Sequence, residues 1–163
     1  MPDLHFYPVA TVQNTRLKPD DDNWGGLVSE IVLDPGLPDE SLDGLDTFSH
    51  AEIIFLFHLV GENEIVLGAR HPRDNPRWPK VGIFAQRGRL RPNRLGLTVV
   101  RILRRDGRSL FVEGLDAVDG TPVLDIKPVM QEFLPRGPFH QPDWSHELMK
   151  DYWKPRKEDD LSR

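Results

Sequence analysis

The chain has 163 residues, of which 38% are hydrophobic, with a net charge of −5 and no cysteine. That length and apolar content suit one globular domain with a modest core, and disulfides and thiolate metal sites are excluded. The opening residues, MPDLHFYPVATV, lack the basic and apolar regions of a secretory signal, and the longest apolar run, IIFLFHLV at 53–60, is far shorter than the roughly 20 residues of a membrane helix, so a cytoplasmic protein with no membrane partner is expected.

Fifteen prolines and 13 glycines favour short strands joined by turns. Residues 6–15, FYPVATVQNT, alternate enough for a strand, and LKPDDDNWGG at 17–26 is a loop. Residues 27–35 alternate, with Leu27, Ser29, Ile31 and Leu33 on one side, and Pro35-Gly36 stops them. A short helix is expected within 38–48, capped by Asp39 or a neighbour and stopped near Gly44. Residues 49–60, SHAEIIFLFHLV, read as a buried strand. Extended, it puts His50, Glu52, Ile54, Leu56 and His58 on one face. His50 and His58 are then roughly 26 Å apart; they cannot share a metal unless the strand bends, and no metal site is expected.

Residues 61–80 form a long polar loop with Pro72, Pro76 and Pro79, of a length that is usually functional or disordered. A strand at 81–87 runs into RGRLRPN. Residues 95–105 and 109–118 form a hairpin on the turn signal Asp106-Gly107, and DGTPVLDIKP at 119–128 makes a turn and an extended piece. Residues 143–153, DWSHELMKDYW, are the best helix, with Asp143 or Ser145 as the cap, and 154–163 are a polar tail. Six or seven short strands and two helices point to an antiparallel or mixed barrel rather than a βαβ fold. The expected architecture is mainly β: a small single-domain β-barrel at 5–140, then a C-terminal helix and tail at 141–163.

No Gly-rich dinucleotide fingerprint, P-loop or nucleophile elbow is present. The charge distribution is more informative than its total. Twelve Lys/Arg lie between Arg70 and Arg108, against only Asp74 and Asp106. A basic segment in an acidic protein is a local anion-binding signal. Either it meets a polyanion, or it is a solvated face or pairs with the chain's own acids. Arg87, Arg89 and Arg91, extended before Pro92, would project to one side, where a guanidinium fork suits carboxylate or phosphate. LDAVDGTPVLDIKP carries Asp116, Asp119, Asp125 and Lys127. The turn acids can be simply solvated, whereas Asp125 and Lys127, facing one way between apolar neighbours, are site candidates.

GIFAQRGRLRPNRLGLTVV, VEGLDAVDGTPVLDIKP and GLDTFSHAEIIFLFH, in this chain's order, resemble the TsaA/YaeB-like family, which includes the TrmO-type tRNA methyltransferases. The resemblance covers roughly residues 5–130. It implies a small non-Rossmann β-barrel that binds S-adenosylmethionine, a homodimer, and N6-methylation of threonylcarbamoyl-adenosine beside the tRNA anticodon; no DNA partner is expected. It carries cofactor contacts onto Asn14, Thr15, Arg16, His58, Leu59, Arg87, Leu97, Asp125, Ile126 and Lys127. Arg87 would pair the cofactor's carboxylate, and Asp125 would take the acceptor's proton or hold the cofactor ribose. Arg89, Arg91 and Arg94 would meet RNA phosphates. Four features depart from the family pattern: LKPDDDNWGG stands where a proline-glutamine element is usual, Arg94 where proline is usual, Val129 where tyrosine is usual, and the ending PDWSHELMKDYW is not that of the best-known tRNA enzymes. A binding module without transfer activity, or a methyltransferase with another acceptor, therefore stands beside the leading expectation.

Overall fold

The computed structural model describes residues 5–156. Six antiparallel strands close a barrel, and two more form a separate ribbon. In chain order the strands are β1 (Ala10–Gln13), β2 (Val28–Leu33), β3 (His50–Leu56), β4 (Ala69–Arg70), β5 (Val81–Gly82), β6 (Leu95–Asp106), β7 (Ser109–Glu113) and β8 (Pro122–Pro128). The barrel order is β1-β2-β7-β6-β3-β8, and β4 pairs only with β5. The mainly-β barrel expected from the sequence is the observed fold, with one short helix, α1 (Asp143–Met149). The polar tail lies, from residue 157 onward, outside the described residues.

Alternation decides what each strand buries. On β3, Ala51, Ile53 and Phe55 point inward, while His50, Glu52, Ile54 and Leu56 form the outer face. This strand is thus buried on one side only, not throughout. Val12, Ile31, Ile53, Phe55, Val100, Leu110, Val112 and Val123 fill the core. Full burial of one such side chain contributes about 1.5–3 kcal/mol. Gly96 on β6 makes room for the Phe55 ring: a Cβ there would lie 2.4 Å from two ring carbons. The β6–β7 hairpin turns at Gly107, whose φ of 55 suits a residue without a side chain.

Several expected elements are shorter. The strand at 6–15 is only Ala10–Gln13. The strand at 49–60 ends at Leu56, and His58 lies in a turn beyond it. The helix at 38–48 is two 3-10 turns, Asp39–Leu42 and Leu45–Thr47, separated at Gly44 with φ 80. Asp39 caps nothing, because its carboxylate pairs with Arg108. At 81–87 only Val81–Gly82 is strand; a 3-10 turn, Ile83–Ala85, follows. Arg87, Arg89 and Arg91 therefore share no strand face. The helix at 143–153 ends at Met149, and Pro142 stands at its N-cap without a side-chain cap bond.

The loop at 61–80 is ordered by local chemistry. It holds a 3-10 turn at Glu62–Glu64, β4, and a second turn at Pro72–Asp74. Arg73 reaches back to Asp22 with two 2.8 Å bonds, clamping this loop to residues 17–26. His71 Nδ1 lies 2.7 Å from the Trp78 carbonyl and closes the loop on itself.

Candidate functional site

A cleft of about 1470 Å³ opens beside the first half of β6, where the strand lacks a partner on one side. β7 pairs with β6 only from Arg101 onward, so Leu95–Val100 has a strand neighbour on one side, β3. On the other side runs the irregular segment after β7, which brings Asp116, Ala117 and Val118 to the cleft. Thr98 bridges the gap, its hydroxyl donating to Asp116 Oδ1. The Tyr152 phenol donates to Asp116 Oδ2 from the chain that follows α1.

These three residues form the most constrained polar group in the cleft. Thr98 is 6% exposed, and both carboxylate oxygens of Asp116 are occupied by hydroxyl donors. Burial pushes the Tyr152 pKa up, and the neighbouring Asp116 charge pushes it further. The phenol thus stays protonated and keeps donating across the physiological range. No local sequence signal marks this group. Asp116 was visible as an acid between Leu115 and Ala117, both buried, but its partners lie 18 and 36 residues away.

His58, Leu59, Arg87, Leu97, Arg89 and Arg91 all line the same cleft. Arg87 donates to the Leu97 carbonyl, which places its guanidinium over the incomplete edge of β6. Arg91 donates to the Gln86 carbonyl at 3.0 Å. Arg89 reaches the Pro19 carbonyl at 3.1 Å and Asp21 at 3.4 Å. Arg94 is not in the lining; it donates to the Val60 carbonyl at 2.8 Å, bracing the turn that carries His58 and Leu59.

The remaining sequence candidates lie elsewhere. Arg16 is 3% exposed, and its guanidinium is spent on the fold. It donates to the carbonyls of Lys18 (3.3 Å), Asn23 (3.0 Å) and Asp22 (2.9 Å), pairs with Asp20 at 3.2 Å and stacks 4.2 Å from the centre of the Trp24 ring. Burial lowers its pKa, opposed by Asp20. Asn14 donates to Ser29 Oγ and to the Ala117 carbonyl, both at 2.9 Å, and so holds the segment beside Asp116 without facing the cleft. Thr15 is exposed outside it. Asp125 and Ile126 line a separate cavity of about 570 Å³, with Val9, Leu45 and Phe48. Lys127 donates to Asp125, and that contact raises its pKa. The two do face one way, but within one chain they do not meet His58 or Arg87.

Most of the basic segment is answered by the chain's own acids. Arg70, Arg73, Arg89, Arg101, Arg104, Arg105 and Arg108 pair with Asp74, Asp22, Asp21, Glu113, Asp106, Asp43 and Asp39 respectively. Such exposed pairs contribute little to stability, but they cancel the field. Among the described residues, Arg77, Lys80, Arg87, Arg91 and Arg94 make no ion pair, and two of these five, Arg87 and Arg91, line the cleft.

Comparison with known proteins adds a lineage to this geometry. The family model of the tRNA-methyltransferase O N-terminal domain matches residues 17–133. A Mus musculus protein named tRNA (adenine(37)-N6)-methyltransferase is 41% identical over 96 residues, which are 59% of this chain and 22% of that protein. The chain thus spans about a fifth of the length of its mammalian relatives. A Methanothermobacter thermautotrophicus protein named a probable S-adenosyl-L-methionine-binding protein is 40% identical over 104 residues, 64% of this chain and 71% of that one. A crystal structure of TrmO from Pseudomonas aeruginosa superposes with a TM-score of 0.64 at 27% identity, covering 81% of this chain and 58% of that one. On its sequence and on its barrel, the chain belongs to the tRNA-methyltransferase O N-terminal domain family.

Proposed function

We propose that this domain binds S-adenosylmethionine in the cleft and methylates N6 of threonylcarbamoyl-adenosine next to the tRNA anticodon. The reading is supported by one juxtaposition: the cleft gathers Arg87, His58, Leu59 and Leu97 around a carboxylate, Asp116, that is held by two hydroxyl donors. These residues suit the cofactor chemically. Arg87 offers a guanidinium to its carboxylate, and Leu59 (56% exposed) and Leu97 (43% exposed) offer apolar surface to its purine. When bound, S-adenosylmethionine supplies an electrophilic methyl group.

The protein's part is alignment and proton handling. An adenine N6 is a poor nucleophile because its lone pair is delocalised, so an acceptor for its proton lowers the barrier. Asp116 is assigned that role in place of Asp125, since Asp116 is at the cleft and Asp125 is not. Alignment of the two reactants supplies on the order of 7–11 kcal/mol in favourable cases. Arg91, with Arg89 and Arg94 beside it, would meet RNA phosphates.

The deciding experiment incubates the protein with methyl-labelled cofactor and tRNA from cells lacking this modification. Label is expected in the threonylcarbamoyl-adenosine nucleoside. Cofactor binding with no label in tRNA overturns the reading and favours a binding module, for which Val129 at the usual tyrosine position is the motivating observation.

We also propose that the domain works as a homodimer. Val99 stands 50% exposed on the outer face of β6, opposite Glu52 of β3. Light scattering should give twice the chain mass, and Val99→Glu should give a single chain mass; a wild-type monomer would reject the dimer.

A further inference from the structure

The family match ends at residue 133, yet much of one cleft wall comes from beyond it. Trp144, Leu148, Met149, Tyr152 and Trp153 all line the cleft. This C-terminal strap is stitched to the barrel by backbone. Trp24 N–H donates to the Tyr152 carbonyl at 2.8 Å and Gly25 N–H to the Lys154 carbonyl at 3.2 Å. The approach is so close that a Cβ at Gly25 would lie 2.0 Å from the Trp153 carbonyl oxygen. Trp78 Nε1 donates to Glu147 at 3.0 Å, and Tyr152 plugs into Asp116.

An anchoring strap needs only its buried contacts, but this one also holds aromatic surface open. Trp153 is 48% exposed, and its ring is braced edge-on by Tyr152 with centroids 5.0 Å apart. Phe84, from the 3-10 turn Ile83–Ala85 on another wall, is 76% exposed in the same cleft. The same cleft is lined by Arg91, which has no acidic partner among the described residues and is not needed by the cofactor. Exposed aromatic faces in one cleft with an unneutralised guanidinium are what unpaired RNA requires: bases stack on the rings while a phosphate meets Arg91.

We propose that the strap is a nucleobase-stacking wall, in which Trp153 and Phe84 hold unpaired bases of an RNA loop and so select a loop over a duplex. This rests on the reading that the acceptor is RNA. It predicts recognition by base exposure, in addition to the charge attraction any RNA would feel.

The test measures binding of a labelled RNA hairpin with an unpaired loop, and of a fully paired duplex, by fluorescence anisotropy at one salt concentration. Wild type is expected to prefer the hairpin. Trp153→Ala and Phe84→Ala should each weaken hairpin binding by roughly ten-fold or more and leave duplex binding unchanged. Trp153→Phe, which keeps a ring, should recover most of the loss. Cofactor affinity by calorimetry should be unchanged in the Trp153 variants. Equal binding of hairpin and duplex, or a Phe variant as weak as the Ala variant, overturns the stacking wall while leaving an RNA substrate standing. A wild type that binds cofactor but neither RNA overturns the RNA reading itself, and the wall with it.

Discussion

Asp116→Asn is expected to slow methyl transfer by about 10²–10⁴-fold while cofactor affinity holds. Asparagine has the same shape and retains one oxygen to accept from Thr98 or Tyr152. Its amide nitrogen cannot accept from the other hydroxyl, nor can it take a proton from an amino group. One hydroxyl is left without its acceptor, which costs about 1–3 kcal/mol. The measurement is the rate at saturating cofactor and tRNA, with calorimetric cofactor binding as the control. Asp125→Asn in the same assay separates the two carboxylates: if it abolishes transfer and Asp116→Asn does not, Asp116 is only a brace.

The largest effect on stability is expected at Arg16. Arg16→Ala should destabilise the fold by about 3–5 kcal/mol, because it strands carbonyls that a buried charge had satisfied. Lys18, Asp22 and Asn23 would each lose a donor, and the Trp24 ring would lose the guanidinium stacked on it. For a domain of this size the melting temperature should fall by roughly 10 °C or more. Arg16→Lys keeps the charge but not the planar fork, so it should restore only part of the loss. An Arg16→Ala variant that melts with wild type would reject this structural role.

These two residues show what was legible in the chain and what was not. The barrel was legible because period-2 alternation at 27–35, the branched and aromatic run at 49–60 and the Asp106-Gly107 turn are local signals. His58, Arg87 and Leu97 came from the resemblance, and all three line the cleft. Asp116 was not legible, since its value lies in Thr98 and Tyr152, and no spacing rule links residues 18 and 36 positions apart. Arg16 came as a cofactor contact from the resemblance alone, and its burial had no local signal, because the loop at 17–26 folds back over it. The arginine run is not part of a strand, because the turn at Ile83–Ala85 ends the extended stretch before Arg87, yet Arg87, Arg89 and Arg91 all line the cleft. The apparent cationic surface shrank because its acids come from distant sequence, such as Asp22 for Arg73 and Asp39 for Arg108.

The contact at Gly25 separates architecture from selectivity. The groups that join the strap to the barrel there are peptide N–H and carbonyl atoms, which every sequence carries. Side chains at 144, 148 and 153 can therefore change without loosening that join. The barrel acts as a socket, and the strap as an interchangeable fitting whose outward rings can be redrawn for a new acceptor while the carboxylate behind them stays where it is.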